Sequence, residues 1–471
     1  MLKTKIVCTL GPACDDAGIL RSLITGGMDA ARMNFSHGTH EEQAGRLTRF
    51  RKICTEENQA IPVILDTKGP EIRLGTFPGG EVTVHKGDEY VITTVESPCD
   101  GTRACVSYAG LPQDTKVGDT ILIDDGHVAM EVLENDGTEL RCVVRNDGAL
   151  SSHKSLNLPG IEVRLPALGE RDRDDLLFGI QHGVDYVAAS FIRKKSDVEE
   201  IRAFLKQHGG AGINIIAKIE SREGLDNLDD IVQAADGIMV ARGDLGVEIP
   251  LEEVPVAQKR MIQLCREWGK PVITATQMLD SMIVSPRPTR AEVTDIANAV
   301  YDGTSALMLS GETASGKYPV EAVATMRRIA QKAEESYSGY GTRRVSLSLK
   351  ADNVTESIAH ATCSVARDLN AAAIVTVTAK GFSARQISCR RPECPVIGCT
   401  FDEETYYRLR LYWGVYPILC KEVKTADELF DEAIAAVKDS GLVSEGGLVV
   451  VTAGLPLGMS GTTNMLRAII V

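Results

Sequence analysis

Asn214–Gly246, NIIAKIESREGLDNLDDIVQAADGIMVARGDLG, is the stretch that decides the fold. It begins and ends with short apolar, partly β-branched runs, Asn214–Glu220 and Gly237–Arg242, and the residues between them have helical patterning. A strand, a crossover helix and a second strand make a βα unit with parallel pairing. Outward from it the same rhythm recurs at Lys5–Leu10, Asp29–Ser36, Pro62–Thr67, Asp185–Phe191, Pro271–Gln277 and Ser305–Gly311. About eight such units close a (β/α)8 barrel.

The third and fourth strands are separated by more than a βα loop can span, so Lys68–Pro166 is expected to hold a domain of its own. Gly-rich turns such as Pro78-Gly79-Gly80, Asn135-Asp136-Gly137 and Asn146-Asp147-Gly148 flank Val/Thr/Ile runs there, which predicts an all-β lid over the barrel mouth. Glu334–Lys350 is polar, and β/α alternation resumes near Asp352. Strands are expected at Ala373–Thr378, Pro395–Thr400 and Gly447–Thr452, with helices around Ser383–Arg390, Asp402–Leu411 and Ala426–Ser440. The expected fold class is therefore α/β: a TIM barrel (1–67 and 167–345) with an inserted β lid (68–166) and a C-terminal open α/β domain (346–471).

A net charge of −14 argues against a general nucleic-acid binder and leaves small anions as the expected partners. No apolar run is long enough to cross a membrane, and the N-terminus runs into a strand without a secretory h-region. Twelve scattered cysteines fit a reducing cytoplasm, and the cluster Cys389, Cys394 and Cys399 lacks zinc-type spacing.

In a barrel the chemistry sits at the C-terminal strand ends, and these are dense in polar residues. Lys218 and Glu220 are two apart on one strand and share a face, while Asp244 follows on a tight turn, Ala241-Arg242-Gly243-Asp244, whose backbone N–H groups can meet an anion. Two carboxylates with other positions open suit Mg²⁺ or Mn²⁺; a barrel-mouth ion-pair network would use the same residues. Arg32, Asn34 and Ser36 form a second polar stripe, followed by His37, and Asp66-Thr67 ends the third strand. Asn34, Ser36, Asp66 and Thr67 offer oxygens with one formal charge, which suits a monovalent cation, and Arg32 and Arg73 suit phosphate oxygens. Thr276, Ser310 and Glu312 form a candidate proton path through water, or else cap the helices that follow.

These motifs, KIVCTLGP (5–12), RMNFSHG (32–38), LDTKGPEIR (65–73), NLPG (157–160), ASFIR (189–193), Lys218–Glu220, GIMVARGDLG (237–246), TATQMLDSM (274–282), RPTRAE (287–292) and MLSGET (308–313), together resemble the pyruvate kinase family, bacterial type with a single C-terminal regulatory domain. The resemblance implies phosphoryl transfer from phosphoenolpyruvate to ADP, giving pyruvate and ATP in the last step of glycolysis. It implies that Lys218 stabilises the group in flight, that Glu220 and Asp244 hold Mg²⁺ or Mn²⁺, and that Asn34, Ser36, Asp66 and Thr67 bind K⁺. Arg32, Lys218, Thr276 and the turn Ala241, Arg242, Gly243 and Asp244 would meet the substrate; Arg32, Asn34, His37, Arg73 and Lys154 would face the nucleotide. Glu71 resembles the K⁺-requiring branch. Thr378, Lys380, Gly381, Ser383, Ser460, Gly461 and Thr462 would bind an effector, with fructose 1,6-bisphosphate favoured over AMP or another sugar phosphate, in a homotetramer. Ala217, Ser221, Ser155-Leu156 and Ser305 depart from the family pattern. Another metal-dependent enolate enzyme on the same barrel, or a non-catalytic relative, are the competing readings.

Overall fold

The computed structural model describes residues 1–337, 353–423, 425–456 and 461–471. Eight parallel strands close a barrel in chain order: β1 Lys5–Leu10, β2 Ala30–Asn34, β3 Val63–Asp66, β4 Tyr186–Ala189, β5 Asn214–Ile219, β6 Gly237–Ala241, β7 Val272–Ala275 and β8 Ala306–Leu309. The period of two sorts their side chains. Ile215, Ala217 and Ile219 of β5 join the outer core under the helices, whereas Ile216 packs inside with Val7, Ile64, Tyr186, Met239 and Ile273. Two residues further along that inner face the apolar layer gives way to Thr9, Asp66 and Lys218, and Arg32 of β2 lies beside them. The inner face of the barrel is thus apolar in its middle layer and ionic at the C-terminal ends of its strands.

Between β3 and β4 the chain forms a seven-stranded sheet running from Ile72–Arg73 to Ser155–Asn157 and a separate two-stranded ribbon, with an apolar core of their own. After the barrel, a five-stranded sheet has the order β11-β10-β9-β12-β13, where β9 is Ala373–Val377, β10 Val396–Thr400, β11 Val415–Leu419, β12 Leu448–Gly454 and β13 Thr463–Ile470. Three of these match the sequence expectation. Both edge strands, β11 and β13, escape it: Pro417 breaks the strand pattern of β11 yet is tolerated at a sheet edge, and β13 is largely solvent-facing and runs antiparallel to β12. Asp352, near which the C-terminal domain is expected to start, and Ser460 lie outside the described residues.

The C-terminal domain seats on the floor of the barrel. Leu411 is fully buried within the barrel's inner apolar cluster, and the Tyr186 hydroxyl, at the start of β4, donates to the Arg408 carbonyl at 2.8 Å. Burying one leucine in this way contributes roughly 2 kcal/mol. Lys5, the first residue of β1 and 1 % exposed, donates to the Val415 carbonyl at 2.7 Å and lies 4.4 Å from the Tyr416 ring. Burial pushes its pKa down to about 8, against the pull of Asp29. Its folded value is below its unfolded one, so between them the unfolded chain holds more protons and stability rises with pH. Comparing the unfolding of the parent and Lys5→Met from pH 8 to pH 10 should show this rise, up to roughly 3 kcal/mol, in the parent and its loss in the variant.

Candidate functional site

The polar layer at the C-terminal strand ends is one connected network. Asn34 and Asp66 are direct neighbours across β2 and β3. Asp66, fully buried, accepts from Arg32 Nε at 2.5 Å through Oδ2 and from Lys218 Nζ at 3.1 Å through Oδ1. Arg32 also donates to Thr9 Oγ1 at 3.0 Å. Lys218 continues to Glu220 Oε1 at 2.9 Å and to Ser190 Oγ at 2.6 Å. Burial alone would neutralise Asp66, but Arg32 and Lys218 outweigh it and hold its carboxyl below the usual range. The Lys218 ammonium likewise resists burial because Asp66 and Glu220 keep it charged, and its pKa is raised.

Glu220 and Asp244 are in a different state. Burial pushes Glu220 up to about 7, with Asp244 adding to the rise and Lys218 and the Phe191 N–H opposing it. Asp244 is raised by burial too, with Lys218 opposing and Asp125 contributing. Two neighbouring carboxylates therefore share one ammonium that also serves Asp66, and their charge is under-compensated. A divalent cation would relieve that condition. Among the described residues no cluster of three or more His, Cys, Asp and Glu side chains stands ready for a metal, so a cation here would complete its shell with water and substrate oxygens, as Mg²⁺ commonly does.

The remaining candidates fall into two groups. Thr276, at φ +64°, accepts from the Gly243 N–H at 2.8 Å and donates to the Ala275 carbonyl at 2.7 Å, which ties the end of β7 to the Ala241–Asp244 turn. Thr67 and Ser36 border the network; Ser36 N–H donates to Asn34 Oδ1 at 3.1 Å. The side chain of Arg242 turns away from the network to the Ala275 and Thr276 carbonyls, at 3.0 and 2.6 Å, and to Asp295, at 2.7 Å, so only its backbone is left to face a ligand. Both Glu312 oxygens accept from backbone N–H groups, of Leu279 at 3.0 Å and Ser310 at 2.7 Å, and no hydrogen bond among the described residues joins them to Thr276. Arg73 is held by Glu71, at 2.6 Å, and the His153 carbonyl; Lys154 is held by Asp124 at 2.9 Å; His37 is exposed. Ser190 and Phe191 are not among the sequence candidates. Their signal is the polar break at the C-terminal end of β4, the same signal that picks out Asp66.

In the C-terminal domain, Thr378, Ser383, Thr400, Glu432, Gly461 and Thr462 help line a cavity of about 210 Å³. Ser383 Oγ is hydrogen-bonded to Thr463 Oγ1, while Lys380 pairs with Asp402 at 2.9 Å and does not line the cavity.

Comparison with known proteins agrees with this architecture. The family model described as "Pyruvate kinase, barrel domain" matches residues 1–323, and "Pyruvate kinase, alpha/beta domain" matches 356–469. A protein named pyruvate kinase from Clostridium acetobutylicum is 48% identical over 100% of both chains. Relatives of the same name from Geobacillus stearothermophilus and Staphylococcus aureus (strain MRSA252) are 47% and 45% identical over 99% of this chain and 80% of their own length. With two domain models in sequence and near-complete coverage at this identity, the chain belongs to the pyruvate kinase family.

Proposed function

We propose that Arg32, Asp66, Lys218, Glu220 and Asp244 form the active site with which the chain, as a pyruvate kinase, moves the phosphoryl group of phosphoenolpyruvate to ADP and yields pyruvate and ATP. The observation that carries this reading is one buried ammonium set between Asp66 and Glu220 at the strand ends, within the field of Asp244. Phosphoryl transfer asks little covalent chemistry of a protein; it asks for positioning and for positive charge aimed where the transition state carries negative charge. Lys218 and Arg32 supply that charge in a water-poor layer.

Glu220 and Asp244 would hold Mg²⁺ or Mn²⁺, which when bound neutralises charge on the transferring group. Asn34, Ser36, Asp66 and Thr67 would hold K⁺; because both Asp66 oxygens already meet cations, the neutral oxygens carry much of that site. The Ala241–Asp244 turn receives the substrate carboxylate through backbone groups, and Thr276 beside it orients the water that protonates the enolate. Ser310 and Glu312 shape the loop behind. Arg73 and Lys154 swing to the nucleotide from ion pairs that are partly exposed and worth about 0–1 kcal/mol each.

The C-terminal cavity is the proposed effector site, for a sugar phosphate in preference to a nucleotide, in a cytoplasmic homotetramer with no nucleic-acid or membrane partner. No helix among the described residues is long and apolar enough to cross a membrane. Twelve free, mostly buried cysteines fit a reducing compartment.

Formation of pyruvate from phosphoenolpyruvate, dependent on ADP and read by a coupled assay, tests the function; a kcat of about 1–10³ s⁻¹ is expected. Its absence would favour another enolate enzyme or a non-catalytic relative. Glu71→Lys is expected to relieve the K⁺ requirement by placing a fixed ammonium next to the cation site. Activation by K⁺ equal to that of the parent would count against that site.

A further inference from the structure

Ser190 and Phe191 follow the last residue of β4, and neither holds substrate, nucleotide or cation in the site as proposed. Ser190 is 4 % exposed. Its hydroxyl donates to the Thr67 carbonyl at 2.7 Å, and its backbone N–H donates to Thr67 Oγ1 at 3.2 Å. A hydroxyl has one proton. With that proton on Thr67, Ser190 Oγ meets Lys218 Nζ, 2.6 Å away, only as an acceptor.

The consequence falls on Lys218. An ammonium has three N–H directions, and here three acceptors surround it: Ser190 Oγ, Asp66 Oδ1 at 3.1 Å and Glu220 Oε1 at 2.9 Å. Its rotation about the terminal C–N bond is therefore fixed. Asp66 is braced by Arg32, and Ser190 by the Thr67 backbone just after β3. Glu220 is braced from the same turn as Ser190: the Phe191 N–H donates to its Oε2 at 2.6 Å. Phe191 does so at φ +54°, a left-handed conformation uncommon for a bulky residue, so the local backbone bears strain in presenting that N–H. The turn is packed closely from behind. A Cβ at Gly69, itself at φ +75°, would lie 2.6 Å from Ser190 Cβ.

We propose that Ser190 is a positioning residue for phosphoryl transfer, its hydroxyl aiming the Lys218 ammonium while the neighbouring Phe191 N–H orients Glu220. A neutral acceptor suits this role because it sets direction without drawing off the positive charge that the transferring group must meet, as a third carboxylate would. The inference rests on the assignment of Lys218 to the transfer itself.

Ser190→Ala tests it. The parent and the variant are compared for kcat, KM for phosphoenolpyruvate and ADP, and Mn²⁺ binding without substrate by electron paramagnetic resonance. We expect kcat to fall by about 10- to 100-fold, because a misaimed group costs rate more than binding, with KM and Mn²⁺ affinity changed less than about threefold. A kcat within threefold of the parent would overturn the proposal, as would a loss of kcat matched by equal losses of substrate and Mn²⁺ binding, which marks a collapsed site. Lys218→Met measured alongside separates the two levels: full activity there removes the reading on which the inference rests, whereas a collapse of kcat there with none in Ser190→Ala removes the inference alone.

Discussion

Lys218→Met is expected to lower kcat by about 10³-fold or more while phosphoenolpyruvate and Mn²⁺ still bind. Methionine keeps the length and the apolar stem of lysine and removes only the ammonium, which is the group placed against the transferring charge. An interaction made mainly in the transition state lowers kcat and kcat/KM together and leaves KM nearly alone. The variant should also be less stable, by roughly 3–5 kcal/mol, because breaking a buried charge cluster leaves carboxylates without their partner. Both Asp66 and Glu220 lose a bond in this case. Steady-state kinetics and a thermal midpoint together check the expectation. Turnover near that of the parent would take Lys218 out of the chemistry.

Glu220→Gln should fail in the opposite way. The Phe191 N–H still finds an oxygen, and Lys218 keeps Asp66 and Ser190, so the architecture survives. What goes is half of the anionic charge offered to a divalent cation. Mn²⁺ binding without substrate is expected to weaken by about 100-fold or more, since hard cations depend on ligand charge, and activity at fixed metal should fall with it. Raising Mn²⁺ should restore part of the rate, which it will not do for Lys218→Met. If Glu220→Gln bound Mn²⁺ as the parent does, the metal would have to be sought elsewhere than at the ends of β5 and β6.

How much of the fold and the site is legible in the sequence follows from what periodicity encodes. The barrel strands are almost wholly buried, mostly apolar and, apart from the inserted domain after β3, separated by helices, and each lies near its expected bounds. Lys218 and Glu220 are legible because a charged pair two apart on an otherwise apolar strand has few explanations. The same rule says less about Arg242 and Glu312, which sit among site residues in the chain but direct their side chains to the Ala275 and Thr276 carbonyls and Asp295, and to the Leu279 and Ser310 N–H groups. A sequence gives a residue's position along a strand but not which neighbour its side chain will satisfy. Ser190 is legible only in part: it lies in the ASFIR run and at a polar break like that of Asp66, but serine at a strand end is ordinary, and its placement between Thr67 and Lys218 is what shows a role. The edge strands β11 and β13 are hidden by weak burial, since a strand paired on one side carries little of the apolar pattern on which recognition depends.

Leu411 bears on how the chain can be divided. A cylinder of strands has two ends, and here one end is stoppered by a leucine that the chain supplies more than a hundred residues after the last stave. Cutting the molecule between the two halves would leave an oily socket open to water on one fragment and a bare peg on the other. Any chimera that swaps C-terminal halves between relatives must match peg to socket before its catalysis can be judged.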